Sequence, residues 1–190
     1  MSKKTVIGIT GRTGSGKSHA CKWINNNINS VEHIDCDEIG HVVLEIPDIK
    51  TRLIQTFGET IEENGKINRS KLGKIVFNNK EKLLQLNDIV HPQICDEVNK
   101  VIQTTNESTI IVEGALIHYV GLEDICKHTI CIDSPTKAII ERSPDKEIIL
   151  SKQPKANDYI NMCTHTIKNN TTIELFEKKL SQLFDRLNII

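Results

Sequence analysis

The sequence predicts a three-layer α/β fold, in which helices cover both faces of a parallel five-stranded sheet. A helical insertion should follow the second strand, and a short lid the fourth. Three observations predict this. Short β-branched apolar runs alternate with stretches of helical periodicity, the pattern of strands buried on both faces and joined by helices. A glycine-rich turn follows the first run at once and opens a helix. Between Glu38 and Gln103 no strand pattern stands out, and the apolar spacing is helical.

Each element has its own signal. Val6, Ile7 and Ile9 mark a first strand over Thr5 to Thr10, and Ala20, Cys21, Trp23, Ile24 and Ile28 mark a helix from Lys17 that the Asn25-Asn26-Asn27 cluster with Asn29-Ser30 should end. Val31 to Ile34 reads as the second strand, leading into Asp35 and Asp37. The insertion carries stripes at Ile39, Val42 and Val43, at Leu53, Ile54 and Phe57, and at Leu72, Ile75, Val76 and Phe77. A long segment from Glu81 to Val101 should break at His91-Pro92, because proline lacks the backbone donor. Thr109 to Glu113 and Thr129 to Asp133 are β-branched strands, and Pro135 suits the first turn of a helix reaching Arg142. The charged stretch Asp145 to Asn157 should be exposed and mobile. Thr164 to Ile167 is the fifth strand, and Ile173, Leu175, Phe176, Leu180, Leu183 and Leu187 give a final amphipathic helix.

At 190 residues the chain suits one domain, 1–190, with the insertion at 44–103 and the lid at 142–157. A net charge of −1, from 24 basic and 25 acidic residues, disfavours a nucleic-acid partner. No run approaches the roughly eighteen apolar residues of a membrane span, so the expectation is a soluble cytoplasmic monomer. Six dispersed cysteines form no CxxC pair, and read as reduced, mostly buried small hydrophobes. Cys126, His128 and Cys131 lie close in sequence but lack a fourth metal ligand nearby.

Gly11-Arg12-Thr13-Gly14-Ser15-Gly16-Lys17-Ser18 satisfies GxxxxGK[ST] between a strand and a helix. Its glycines let backbone N–H groups surround an anion, and the helix adds the positive end of its dipole. The implied ligand is ATP with Mg²⁺. Gly11, Thr13, Gly14, Ser15, Gly16, Lys17, Ser18 and His19 are the candidate ATP contacts, with Lys17 on the β- and γ-phosphates and the Ser18 hydroxyl on the metal. Asp35 and Asp37 leave the second strand at the sheet end where ligands bind. Either they cap strand and helix, or Asp37 takes a proton from an attacking hydroxyl while Asp35 supports the loop or a metal-bound water. Glu113, also at a strand end, could hold the Mg²⁺ shell or accept backbone hydrogen bonds.

The chain resembles the dephospho-coenzyme A kinases nearly end to end. The resemblance rests on the GITGxxGSGKS-type opening, Ile34-Asp35-Cys36-Asp37 before the helix with His41, and the run from Asn68 to Phe77. It continues through Val90-His91-Pro92-Gln93-Ile94, Glu113-Gly114-Ala115-Leu116 and Asn169-Asn170. It implies a P-loop kinase that transfers the γ-phosphate of ATP to the ribose 3′-hydroxyl of dephospho-coenzyme A, with Asp37 as catalytic base and the insertion holding the acceptor. By the same resemblance Lys17 and Arg142 join Asp37 in catalysis, and Asn169 joins the ATP site. The candidate acceptor contacts are Asp35, His41, Arg69, His91 and Glu113, where His91 could instead cap or break the long helix and Arg69 could be an ordinary solvated charge that its place in the matching segment turns toward an anion.

Two segments depart from the family pattern. The lid keeps only Arg142, with Lys146, Lys152 and Lys155 as substitutes that supply charge without a guanidinium's fork. The aspartate before the last asparagines is replaced within Thr164 to Lys168. Two other readings compete with this one. Another small-molecule kinase, acting on a nucleoside or its monophosphate, would share the phosphate loop, whereas a nucleotide switch would need no acceptor.

Overall fold

The computed structural model describes residues 4–189, in which the chain forms two units: residues 4–35 with 104–189, and 36–103. The first unit is built on strands β1 (Thr5–Thr10), β2 (Val31–Asp35), β5 (Thr109–Glu113), β6 (His128–Asp133) and β7 (His165–Lys168). They pair in the order β2-β5-β1-β6-β7, all parallel. The five-stranded parallel sheet expected from the sequence is present. Its central strand β1 is buried from Val6 to Thr10, so apolar side chains on both faces are what that position requires.

One face is covered by α1 (Lys17–Asn27) and α10 (Ile173–Arg186). Ile24 on α1 and Phe176, Leu180, Leu183 and Phe184 on α10 pack with Ile7, Ile9, Ile111, Ile130 and Ile132 in one cluster. The helical spacing of those α10 residues explains the amphipathic signal, while Ile173 and Leu175 stay exposed. On the opposite face, Gly8 lies under Ile117 of α6 (Ile117–Val120) and Cys126. Helix α1 runs through Asn27, whose side-chain amide donates to the Trp23 carbonyl at 2.8 Å, and is capped at Ile28, just before Asn29-Ser30, the end expected from the sequence. Three further helices, α7 (Thr136–Arg142), α8 (Glu147–Lys152) and α9 (Ala156–Met162), fill the span between β6 and β7. Leu150 and Tyr159 anchor the last two by burial.

The second unit comprises α2 (Cys36–Val43), α3 (Pro47–Phe57), α4 (Arg69–Val76) and most of α5 (Lys80–Thr104). Ile49, Leu53 and Phe57 form the buried stripe of α3, and Asn68 caps α4 by accepting the Lys71 N–H at 3.0 Å. Val42 and Phe77, members of the apolar stripes in the sequence, are exposed. Two expectations fail here. A two-stranded antiparallel pair, β3 (Glu62–Glu63) and β4 (Lys66–Ile67), turns at Asn64-Gly65, both at positive φ. Asn-Gly is the strongest two-residue hairpin signal, and the strands were too short to show a period. Helix α5 also continues through Pro92 instead of breaking there. A proline inside a helix costs about 3 kcal/mol. Ile89, Val90, Ile94 and Val98 are buried on either side of it, at roughly 1.5–3 kcal/mol each, so packing outweighs the lost bond.

Of the six cysteines, Cys21, Cys36 and Cys131 are buried and the other three are only partly so. Among the described residues no helix is long and apolar enough to cross a membrane.

Candidate active site

Residues 11–16 leave β1 and wrap into a loop whose backbone is held from several sides. Gly16, the residue before α1, has φ 108°, and a Cβ there would run into the Asn169 side-chain amide. Gly11 has φ 139°, and a Cβ there would meet the Ile132 carbonyl of the neighbouring strand. Only glycine meets both demands. The Asn169 amide donates to the Ser15 carbonyl at 2.8 Å, and the Thr13 N–H donates to Gln153 Oε1 at 2.8 Å. The first turn of α1 carries no acidic side chain, so its positive dipole end is left for an anion. Lys17 is 9 % exposed and its ammonium reaches the Arg12 carbonyl at 3.4 Å, at the mouth of that loop. His19 points away, with Nε2 at 2.9 Å from Glu177.

Strand register brings the next group together. Asp35 and Ile9 both lie opposite Glu113, so the carboxyl ends of β2, β5 and β1 are level beside the loop. Glu113 is 5 % exposed, and its carboxylate accepts from the Ser18 hydroxyl at 2.9 Å and faces His33 Nε2 at 3.1 Å. Burial alone would raise the Glu113 pKa. Hydrogen bonds from His33, Ser18 and Cys21, with the charge of Lys17, outweigh that and hold it below the ordinary glutamate value. A buried carboxylate and a serine hydroxyl thus meet as hard oxygen donors beside the phosphate loop.

Arg142 donates to the Gly14 carbonyl at 3.3 Å, to Ser134 Oγ at 2.7 Å and to Ala138 O at 3.0 Å. Ser134 in turn donates to the Asn169 carbonyl at 2.8 Å. A chain of hydrogen bonds therefore ties the end of α7 to the phosphate loop. Asn169, buried, acts on the loop's backbone. Neither Arg12 nor Gln153 stands out as a site residue in the sequence alone. The Arg12 guanidinium donates to Ser134 O at 2.7 Å and Thr136 Oγ1 at 2.8 Å. Arg12, Thr136, Leu150, Gln153, Lys155 and Asn157 line a cavity of about 720 Å³. That volume lies in the range of small-ligand sites. The loop therefore supplies a guanidinium to a cavity that residues between 147 and 157 also line.

Asp37, His41, Arg69 and His91 belong to the second unit. Asp37 and His41 are four residues apart on α2, hence on one face, and both are exposed. Asp37 sits in the first turn, where the helix dipole favours a carboxylate. Arg69 opens α4 and is exposed, while His91 lies half-buried in α5, next to Pro92.

A parallel sheet in this order, with a GxxxxGK[ST] loop between β1 and α1, defines a P-loop kinase. The chain belongs to the dephospho-CoA kinase family, whose model matches residues 5–174. The Dephospho-CoA kinase of Fusobacterium nucleatum is 30 % identical over 96 % of this chain and 98 % of its own. Among solved structures, TT1252 from Thermus thermophilus has a TM-score of 0.80 at 22 % identity, covering 97 % of this chain and 98 % of that one. The Dephospho-CoA kinase from Campylobacter jejuni has a TM-score of 0.70 at 23 % identity, covering 97 % of each. At those identities the structural likenesses speak for the fold.

Proposed function

We propose that this protein transfers the γ-phosphoryl group of ATP to the ribose 3′-hydroxyl of dephospho-coenzyme A, giving coenzyme A and ADP as the last step of coenzyme A synthesis. The observation that carries this reading is the family match, which spans the phosphate loop, the helical unit and the Asn169 turn. Phosphoryl transfer calls mainly for positioning and charge neutralisation. In this reading the loop N–H groups, including that of His19, hold the phosphates, and the Lys17 ammonium follows the transferring group. Arg12 and Arg142 add guanidinium charge. Asp37 takes the proton of the 3′-hydroxyl while Asp35 supports the turn that carries it. His41, Arg69 and His91 contribute to acceptor binding from residues 44–103 and the helix before them.

Mg²⁺ is the implied metal, and the paired hydroxyl of Ser18 and carboxylate of Glu113 fit its preference for oxygen ligands. When bound, it supplies neutralisation of the β- and γ-phosphate charge. ADP formation tests the acceptor: it should depend on dephospho-coenzyme A and stay near background with nucleosides or nucleoside monophosphates. Equal stimulation by a nucleoside would replace this reading with the other small-molecule kinase.

Residues 142–157 act in this account as a lid over the nucleotide. Its packing rests on few anchors, with Ile148 and Ile149 exposed on α8. Trypsin cleavage at Lys152 and Lys155 should slow several-fold when ATP and dephospho-coenzyme A are both present. Unchanged cleavage would remove the lid from the account.

A further inference from the structure

Three side chains of different chemistry converge behind the phosphate loop. Cys21 lies on α1 one turn beyond Ser18, His33 at the middle of β2, and Glu113 at the end of β5. One ligand atom from each lies within 4.8 Å of the other two, and the imidazole and carboxylate are already 3.1 Å apart. Cys21 is 1 % exposed and Glu113 5 %, while the His33 side chain is 28 % exposed and leaves a path for entry. A four-coordinate zinc ion holds sulfur at about 2.3 Å and nitrogen or oxygen at about 2.0–2.2 Å, which spaces such ligands about 3.4–3.6 Å apart. Closing the cluster to that spacing asks for side-chain movements of about an ångström.

We propose that Cys21, His33 and Glu113 bind a divalent cation of the zinc class, at a site that shares Glu113 with the hard-oxygen pair at Ser18. The donor set gives the selectivity. A thiolate and an imidazole suit zinc or cobalt, whereas magnesium prefers oxygen ligands and keeps its waters. On binding, the Cys21 thiol releases its proton to solvent and His33 coordinates as the neutral ring. The ion takes the place of the hydrogen bonds that Cys21 and His33 make to Glu113, and a solvent molecule completes the four positions. This inference does not depend on which acceptor the kinase uses.

The test is titration of the metal-free full chain with Co²⁺, read by absorption. A near-ultraviolet thiolate-to-cobalt band should grow to saturation at one equivalent, together with the visible bands of a tetrahedral ion, and Zn²⁺ should abolish both. Cys21→Ser should eliminate the thiolate band, and His33→Gln should weaken binding by about tenfold or more. Cys163→Ser should leave the spectrum unchanged. If Cys21→Ser does not fold, His33→Gln, at a partly exposed position, decides alone. Absence of a thiolate band, its persistence in Cys21→Ser, an unchanged affinity in His33→Gln, or its loss with Cys163→Ser would each overturn the site.

Discussion

Lys17→Ala lowers phosphoryl transfer by about 10³-fold or more while the melting curve stays close to that of the parent. Removing a single preorganised charge or donor at a transition state typically costs about 10²–10³ in turnover. Lys17 provides a full positive charge in a nearly closed setting, at the mouth of the loop, so the upper end of that range is the floor expected here. The fold should tolerate the change because the loop is held by Asn169, Gln153 and Arg142, none of which requires the lysine. Near-parent turnover with a normal melting curve would contradict the assignment of the phosphate loop.

Asp37→Asn separates transfer from nucleotide binding. The amide has nearly the same shape, and the loop supplies most phosphate contacts, so ATP affinity should be almost unchanged. It cannot take a proton from the ribose hydroxyl, and transfer should fall by about 10²–10⁴-fold. Loss of a first-turn carboxylate on α2 costs about 0.3–1 kcal/mol in stability, too little to imitate that fall by unfolding. Asp35 ends β2 opposite Glu113, and Asp35→Asn should cost less if its role is to support the turn that carries Asp37. Single-turnover transfer at saturating ATP and acceptor compares the two. If Asp35→Asn is the more damaging, or if Asp37→Asn transfers at the parent rate, the base has been misassigned.

The three central strands β5, β1 and β6 were legible because they are buried along nearly their whole length and so read as apolar runs, whereas the edge strands β2 and β7 are only partly buried and show little more than Val31 with Ile34 and Ile167 between turn residues. The hairpin at Asn64-Gly65 carried a turn signal but strands of only two residues each, too short for any alternation to emerge. Pro92 was misread for another reason. A local rule about proline cannot see the apolar residues that bury both halves of α5. The phosphate loop was readable because its chemistry lies in eight consecutive positions. Arg12 stood in plain view inside that motif, but its partner Ser134 lies 122 residues downstream, and no spacing rule connects them. The grouping of Ser18, Cys21 and His33 around Glu113 likewise comes from strand register and from α1 packing on the sheet, which one dimension does not express.

The central claim is that the γ-phosphoryl group ends on the 3′-oxygen of dephospho-coenzyme A. Mass spectrometry of that acceptor after incubation with the protein, ATP and Mg²⁺ tests it most directly, followed by treatment of the product with a 3′-nucleotidase. The expected result is a mass gain of one phosphoryl group, in step with ADP formation, that the nucleotidase removes. An acceptor of unchanged mass while ATP is consumed, or a phosphorylated product that resists the 3′-nucleotidase, would contradict it.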